Sequence, residues 1–463
     1  MQQAGGEQAE RIDNGLAAAL PVTDTAPSGL FRQAAPMIIS RAGIAGMAIV
    51  DALMVARLGS SELAATTLSD GTFGRLVDIG ISGLHAALVL TAAARLPEQA
   101  AARLAVWQRA SLVALCAGLV VFALAPFAGL LLAGIGQEPS LSARAGTVIL
   151  ILAAGLPAGL IALAAAVHLE GIGKAGLVAR WMIAANLANA GLNALLIGGF
   201  DPLPALGAAG SATATTMVRI GLAIALVAAV RRMEGPGAFR PAQITDPVQA
   251  AGNRRDHLKL SFGAVSTSAG MHALGVWLTV FAGWLGTAPL AAFASCWVLN
   301  LPGLLLAAGI GDAISMRAAA ADGPSARLWR DLGRLAFVLA PISAVIVLFA
   351  GPIAAHYTPD AALSALLAML LPVTGVVLFL DGMSYGVFAA LRARKDVALP
   401  TLIQVGCMVA TVLLAGVLAF RLDHGVSGLV EGIIATSLLR LGLLLARLFV
   451  VFRPLRLSEP QTA

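Results

Sequence analysis

The sequence predicts an all-α polytopic membrane protein: twelve transmembrane helices in two pseudo-symmetric six-helix lobes around a central cavity. Three observations carry that prediction. The 463 residues are 59% hydrophobic and only 12% charged, with a mean hydropathy of +0.88, far too little charge to cover a soluble protein of this length. Twelve apolar runs are long enough to cross a bilayer, a span needing roughly 20 apolar residues. Finally, the closing signature Leu58-Gly59-xxx-Leu63-Ala64-Ala65 returns as Leu285-Gly286-Thr287-Ala288-Pro289-Leu290-Ala291-Ala292, and a repeat about 225 residues apart divides the chain into like halves.

The spans centre near residues 45, 80, 120, 156, 188, 219, 271, 304, 343, 378, 409 and 439, with interruptions at Pro36, Pro157, Pro302 and Pro372. Ala, Leu and Gly dominate and aromatic residues are few. Small residues let membrane helices approach closely, as a tightly packed bundle requires. Alternating segments of about ten residues, the mark of a membrane barrel, are not seen.

Basic residues set the orientation. Arg95 and Arg103, Lys174 and Arg180, the stretch 231–259, the stretch 317–334, and Arg392, Arg394 and Lys395 occupy one set of loops. Arg11, Arg32, Arg453 and Arg456 place both tails on that side, and the alternate loops hold little beyond Arg57, Arg144 and Arg421. Both termini are therefore expected in the cytoplasm, which agrees with an even number of spans. The net charge of +6 reflects these loops and does not point to nucleic acid. Residues 1–30 lack a long apolar core and read as a disordered cytoplasmic tail, not a cleaved signal. Cys116, Cys296 and Cys407 are scattered through apolar runs, which argues against a disulfide framework or metal cluster.

The polar segment at 233–257 reads as a cytoplasmic linker between an N-terminal lobe, 31–232, and a C-terminal lobe, 258–450, with a second tail at 451–463. Further pieces repeat across it. Gly207-Ala208-Ala209-Gly210 echoes Gly425-Val426-Ser427-Gly428, and Arg219-Ile220-Gly221-Leu222 echoes Arg440-Leu441-Gly442-Leu443. Each half has an even number of spans, so the repeats run parallel about an axis along the membrane normal.

Three passages resemble the multidrug and toxic compound extrusion (MATE) transporters, a family within the superfamily that also holds lipid-oligosaccharide flippases. The first is Asp51-x-x-x-Val55-x-x-Leu58-Gly59-x-x-x-Leu63-Ala64-Ala65. The second is Asn189-x-x-x-Asn193 followed by Gly207-x-x-Gly210-Ser211-Ala212-Thr213-Ala214-Thr215. The third is Asp381-Gly382, then Leu391-Arg392-Ala393-Arg394-Lys395-Asp396 and Pro400. The resemblance runs from about Phe31 to Arg447. It departs where the family often has an acid at Asn193, a Gln shortly after Asp381 (here Met383, Ser384 and Tyr385), and, in the sodium-coupled branch, a span-seven glutamate (here only Met271 and His272). Those departures bear on the coupling ion and leave the fold untouched.

The resemblance implies a secondary antiporter of the bacterial inner membrane. It would export small organic cations or amphipathic drugs in exchange for H⁺ or Na⁺, without enzyme activity or cofactor. Ion coupling falls on Asp51, Asn189, Asn193 and Thr215, with Na⁺ conceivable at Asp51, Asn189 and Asn193. An ionised aspartate inside a span costs on the order of 3 kcal/mol, so Asp51 should face a cavity or a partner; it lies about 12 Å below the outer mouth at 1.5 Å per residue. Such an acid can load a proton outside and release it when the cavity changes. A structural acid bonded to a neighbouring helix is the alternative.

Asn186, Asn189 and Asn193 share one helix face and suit either hydrogen bonds to Asp51 and oxygen ligation of Na⁺ or plain interhelical bonding. Arg75, Asp78, Ser82 and His85 form another stripe, read first as an internal Arg75–Asp78 ion pair, with Asp78 and His85 as a proton relay in the second reading. Asp381, with no basic residue within one turn, is implied by the resemblance to bind a coupling ion or cationic substrate. Glu431 is expected as a second buried acid of the same lobe, and Asp312 as a structural one. Gly171-Ile172-Gly173-Lys174-Ala175-Gly176 matches G-x-G-x-x-G but joins two spans with no strand before it, so it is a cytoplasmic turn. The rival reading is a lipid-linked saccharide flippase, for which Arg41, Arg75, Arg219 and Arg440 would have to bind pyrophosphate. Membrane lipids are the surroundings in either case, and two complete lobes make a monomer sufficient.

Overall fold

The computed structural model describes residues 28–94, 99–199, 205–235, 247–319, 326–358 and 360–452. Of the expected disordered tail at 1–30, residues 1–27 lie outside the described residues, as do the centre of the linker and the C-terminal tail beyond 452; residues 28–30 already belong to the first helix, Ser28–Ala56, with Leu30 buried. Among the described residues eleven helices are long and apolar enough to cross a membrane, and the helix pair Pro139–Ala154 and Leu156–Gly171, bent by 46°, counts as a twelfth when taken as one broken span. Pro157 stands at the start of the second of these helices. A proline there forfeits only an amide that has no helical partner, so the break is stable and the bend is kept.

Spans 1 to 6 are Ser28–Ala56, Ser61–Ala93, Ala100–Gly134, the bent pair, Ala175–Gly198 and Gly207–Glu234. Spans 7 to 12 are Arg254–Trp284, Thr287–Ala319, Ala326–Leu348, Ala361–Ala393, Ala398–Phe420 and Gly425–Val451. The repeat is also a repeat of backbone. Gly59 and Gly286 open spans 2 and 8 at φ +116° and +124°, a region that only glycine enters without strain. Gly207 and Gly425 both begin spans 6 and 12 at φ +57°. Gly173 and Lys395 sit at φ +83° and +58°, closing spans 4 and 10 with the same turn: Lys174 N–H donates to Leu169 O at 2.8 Å and Asp396 N–H to Leu391 O at 3.2 Å. The G-x-G-x-x-G match is thus a helix C-terminal turn.

The two lobes meet at the end of the bundle that holds the start of span 1. A Cβ on Gly309 of span 8 would lie 2.9 Å from the Ile38 backbone, and Ser261 of span 7 donates to the Gly83 carbonyl of span 2 at 3.0 Å. The main apolar core crosses here, joining Leu30, Ala34 and Met37 to Ile310, Ala313 and Ile314. Toward the opposite end a separate core forms from C-terminal residues alone, including Phe281, Phe293, Leu371 and Leu429. The lobes are bound to each other at one face and keep separate cores at the other.

Candidate functional site

Asp51 is 9% exposed in the upper half of span 1, and the N-terminal lobe closes a ring of hydrogen bonds around it. Asn193 Nδ2 donates to Asp51 Oδ1 at 2.5 Å, and Thr215 Oγ1 donates to Oδ2 at 2.7 Å. Asn189 Nδ2 donates to Thr215 Oγ1 at 3.1 Å, and Asn193 Nδ2 also donates to Asn189 Oδ1 at 3.2 Å. All four expected coupling residues therefore come together from spans 1, 5 and 6. Spacing of four residues puts Asn189 and Asn193 on one face, and Glu62 accepts from the Ala208 amide at 2.8 Å, holding the start of span 6 where Thr215 can reach the ring. Asn186 is excluded: its amide donates to Met182 O of its own helix at 2.9 Å.

A carboxylate only accepts, so the neighbouring amide of Asn193 must present its nitrogen. That leaves Asn193 Oδ1 buried with no partner. A spare buried acceptor beside a carboxylate suits a proton carrier or a small hard cation, which takes oxygen ligands. Among the described residues no three His, Cys, Asp or Glu side chains gather as a metal site.

The ring opens on a cavity with about 1080 Å³ of free space, part of it open, lined also by Asp70, Arg219, Met47 and Leu160. Asp70 starts a π-helical turn, Asp70–Gly74, within span 2, a distortion often found at functional sites. Arg219 donates to the Leu152 carbonyl at 3.2 Å and interacts electrostatically with both Asp51 and Asp70. Sequence reasoning missed Asp70 because it stands beside Gly71 near the end of its span, like a loop residue. Arg219 carried a usable signal: Thr215-x-x-x-Arg219 and Thr436-x-x-x-Arg440 repeat, and each pair shares a helix face.

In the C-terminal lobe Arg440 of span 12 donates to Asp381 of span 10 and, at 3.2 Å, to Ser437 Oγ. The absence of a basic residue near Asp381 on its own helix is made good by another helix, and the acid carries its counter-charge within the protein. Thr411 and Thr436 share a hydroxyl bond of 2.7 Å where the N-terminal lobe has Asn189 and Thr215. Glu431 is a correction. Its side chain is 42% exposed and bonded to His424 at 2.7 Å, because it lies less than two turns from the start of span 12 and water reaches it.

The span 2 stripe is also corrected. Arg75 is exposed and no ion pair joins it to Asp78 among the described residues; exposed charges need no mutual neutralisation. Asp78 and His85 do not assemble as a relay: Asp78 interacts electrostatically with His272 of span 7, whereas His85 stands 3.9 Å from Asp312. Asp312 belongs to a buried group that ties the lobes together. Arg41 of span 1 reaches Glu170 and Asp312 at 3.2 Å each, Tyr385 OH donates to Asp312 at 3.4 Å, and Arg392 lies 3.9 Å from it. Arg41 and Arg440, which a pyrophosphate-binding flippase would need free, are both neutralised by acids.

Two six-helix lobes joined at one face, with a polar ring buried in one of them, are the architecture of a two-lobe membrane transporter. The MatE family model matches residues 36–195. Probable multidrug resistance protein NorM of Caulobacter vibrioides is 29% identical over 447 residues, covering 90% of each chain. NorM of Bradyrhizobium diazoefficiens is 26% identical, covering 92% of this chain and 93% of its own. The fold matches a crystal structure of MATE in the bent conformation with a TM-score of 0.78 at 18% identity, covering 91% of this chain and 95% of that one. A MOP-superfamily transporter of Pyrococcus furiosus matches with 0.77 at 19% identity and the same coverage. The chain is similar to MATE transporters over most of its length.

Proposed function

We propose that the protein is a multidrug efflux antiporter of the bacterial inner membrane, exporting organic cations or other amphipathic drugs in exchange for H⁺ or Na⁺. The observation that carries the reading is the Asp51 ring: an intramembrane carboxylate held by three neutral side chains with no basic group bonded to it. An intramembrane acid kept this way is expensive unless it is used. The NorM relatives, named probable multidrug resistance proteins, support the substrate class.

With both termini in the cytoplasm, the joined face of the lobes is cytoplasmic and the form described faces outward. Ion binding at Asp51 then changes the packing of spans 1, 5 and 6, and drug affinity falls only if ion and drug favour different states. Ethidium efflux from loaded cells tests this, with protonophore and sodium varied separately. Wild type effluxes, and Asp51→Asn does not; the treatment that stops wild type names the ion. Normal efflux by Asp51→Asn would remove the N-terminal lobe from the coupling step.

A further inference from the structure

Spans 3 and 7 belong to different lobes and touch each other. A basic cluster sits at their seam, near the end of the bundle where the lobes meet. Arg109 of span 3 interacts electrostatically with Arg254 of span 7, and His257, one turn on from Arg254, interacts with Arg109. Among the described residues neither arginine has a carboxylate partner, and Arg109 donates from Nε to the Ala105 carbonyl of its own helix at 3.0 Å. Nη1 of Arg109 and Nδ1 of His257 are buried with no hydrogen-bond partner, and His257 is 8% exposed. Buried polar groups are rarely left so, and like charges held together without an acid repel. The cluster calls for an anion.

The surroundings say what carries that anion. Spans 3 and 7 start at the same end of the bundle and run the same way, as odd-numbered spans must. On span 3, Val113 lies one turn beyond Arg109 on the same face and is 58% exposed. On span 7, Leu258 and Phe262 follow Arg254 by one and two turns and are 62% and 73% exposed. Each helix therefore shows a cation nearer its start and an uncovered apolar strip beyond it, toward the bilayer centre. A phospholipid of the leaflet at this end has the same polarity, headgroup first and chains inward. Basic pockets between membrane helices on the cytoplasmic side take anionic headgroups in this way. A zwitterionic headgroup would bring its own cation against Arg109 and Arg254, which disfavours it.

We propose that an anionic phospholipid of the cytoplasmic leaflet binds at the seam of spans 3 and 7, its phosphate on Arg109, Arg254 and His257 and a chain along Leu258 and Phe262. Because it bridges the two lobes, the lipid favours the form in which they are joined at this face and loses the bridge when they part. The choice of leaflet rests on the cytoplasmic placement of both termini. The headgroup site itself does not depend on the antiport reading, and its test needs no ion gradient.

The full-length protein in detergent micelles is titrated with phosphatidylglycerol and with phosphatidylcholine of the same acyl chains, and bound lipid is read by native mass spectrometry. Glycerol phosphate, a headgroup without chains, serves as competitor. Wild type binds its first phosphatidylglycerol roughly tenfold tighter than phosphatidylcholine, or more. Arg109→Gln and Arg254→Gln each cut that preference to roughly threefold or less, while Arg109→Lys keeps it. Arg421→Gln, which removes an exposed charge at the opposite end of the bundle, leaves it unchanged. The proposal is overturned if wild type does not discriminate between the lipids, or if folded Arg109→Gln and Arg254→Gln keep the wild-type preference. It is equally overturned if Arg421→Gln lowers the preference as much, which marks general attraction to a basic protein. Displacement of the lipid by an equal concentration of glycerol phosphate would make this a site for soluble phosphates and overturn it too. Ethidium efflux by wild type in those cases would leave the antiport reading standing.

Discussion

Thr215 donates its hydroxyl to Asp51 at 2.7 Å while accepting from Asn189 at 3.1 Å, so its single proton is committed to the carboxylate. A proton or cation seated on the oxygen that accepts from Thr215 weakens or reverses that bond. We therefore propose that Thr215 reports the state of Asp51 to span 6. Thr215→Val removes a hydrogen bond to a charged group, worth about 1.5–3 kcal/mol, and should lower ethidium efflux by roughly tenfold or more. Thr215→Ser restores the donor and should restore most of the efflux. Equal activity in Val and Ser variants would mean that the hydroxyl has no part in coupling.

Asp70 shares its cavity with Asp51 and interacts with the same guanidinium, Arg219. Loss of its charge leaves Arg219 to Asp51 alone and favours the ionised form of Asp51 through an opposite charge. Asp70→Asn should then require a several-fold higher external H⁺ or Na⁺ concentration for half-maximal efflux, with a smaller change in the maximal rate. Efflux measured across an ion series separates the two; an unchanged half-maximal concentration would detach Asp70 from the ion site.

Asp381 and Arg440 form an ion pair with side chains 20% and 8% exposed. Removing one partner of such a pair strands the other, at a cost of about 3 kcal/mol or more, whereas removing both charges is much cheaper. Asp381→Asn and Arg440→Gln should each lower the melting temperature in detergent, and the double variant should recover most of the loss. A double variant no better than the sum of the singles would show that the two residues act independently.

Much of this was legible before the structure. Hydropathy and the Leu-Gly repeat suffice for twelve spans because a bilayer demands length and internal hydrogen bonding from each. The ring of Asp51, Asn189, Asn193 and Thr215 was also within reach, since spacing and the family resemblance named its members. Long-range partners were not. Arg440 lies 59 residues from Asp381 and Arg41 lies 271 from Asp312, and helical periodicity describes one helix at a time. Glu431 failed for a different reason: an apolar run does not mark where the span meets water. The π turn at Asp70 has no periodic signature at all.

The buried group of Arg41, Glu170, Asp312 and Tyr385 joins the lobes at the face where span 1 begins. Arg41 belongs to the N-terminal lobe and Asp312 to the other, so separation of the lobes at this face must break their bonds of 3.2 Å. Asp312→Asn leaves the side-chain shape but removes the charge that holds Arg41 across the gap. The closed face should therefore open more often. Ser40, 1% exposed beside Arg41, offers a reporter. A Ser40→Cys variant, with Cys116→Ser to remove the exposed native thiol, should react slowly with a maleimide in the parent and several-fold faster once Asp312→Asn is added. The buried Cys296 and Cys407 set the background rate. An unchanged rate would mean that apolar packing, led by Ile38 against Gly309, holds the face shut without help from the charges.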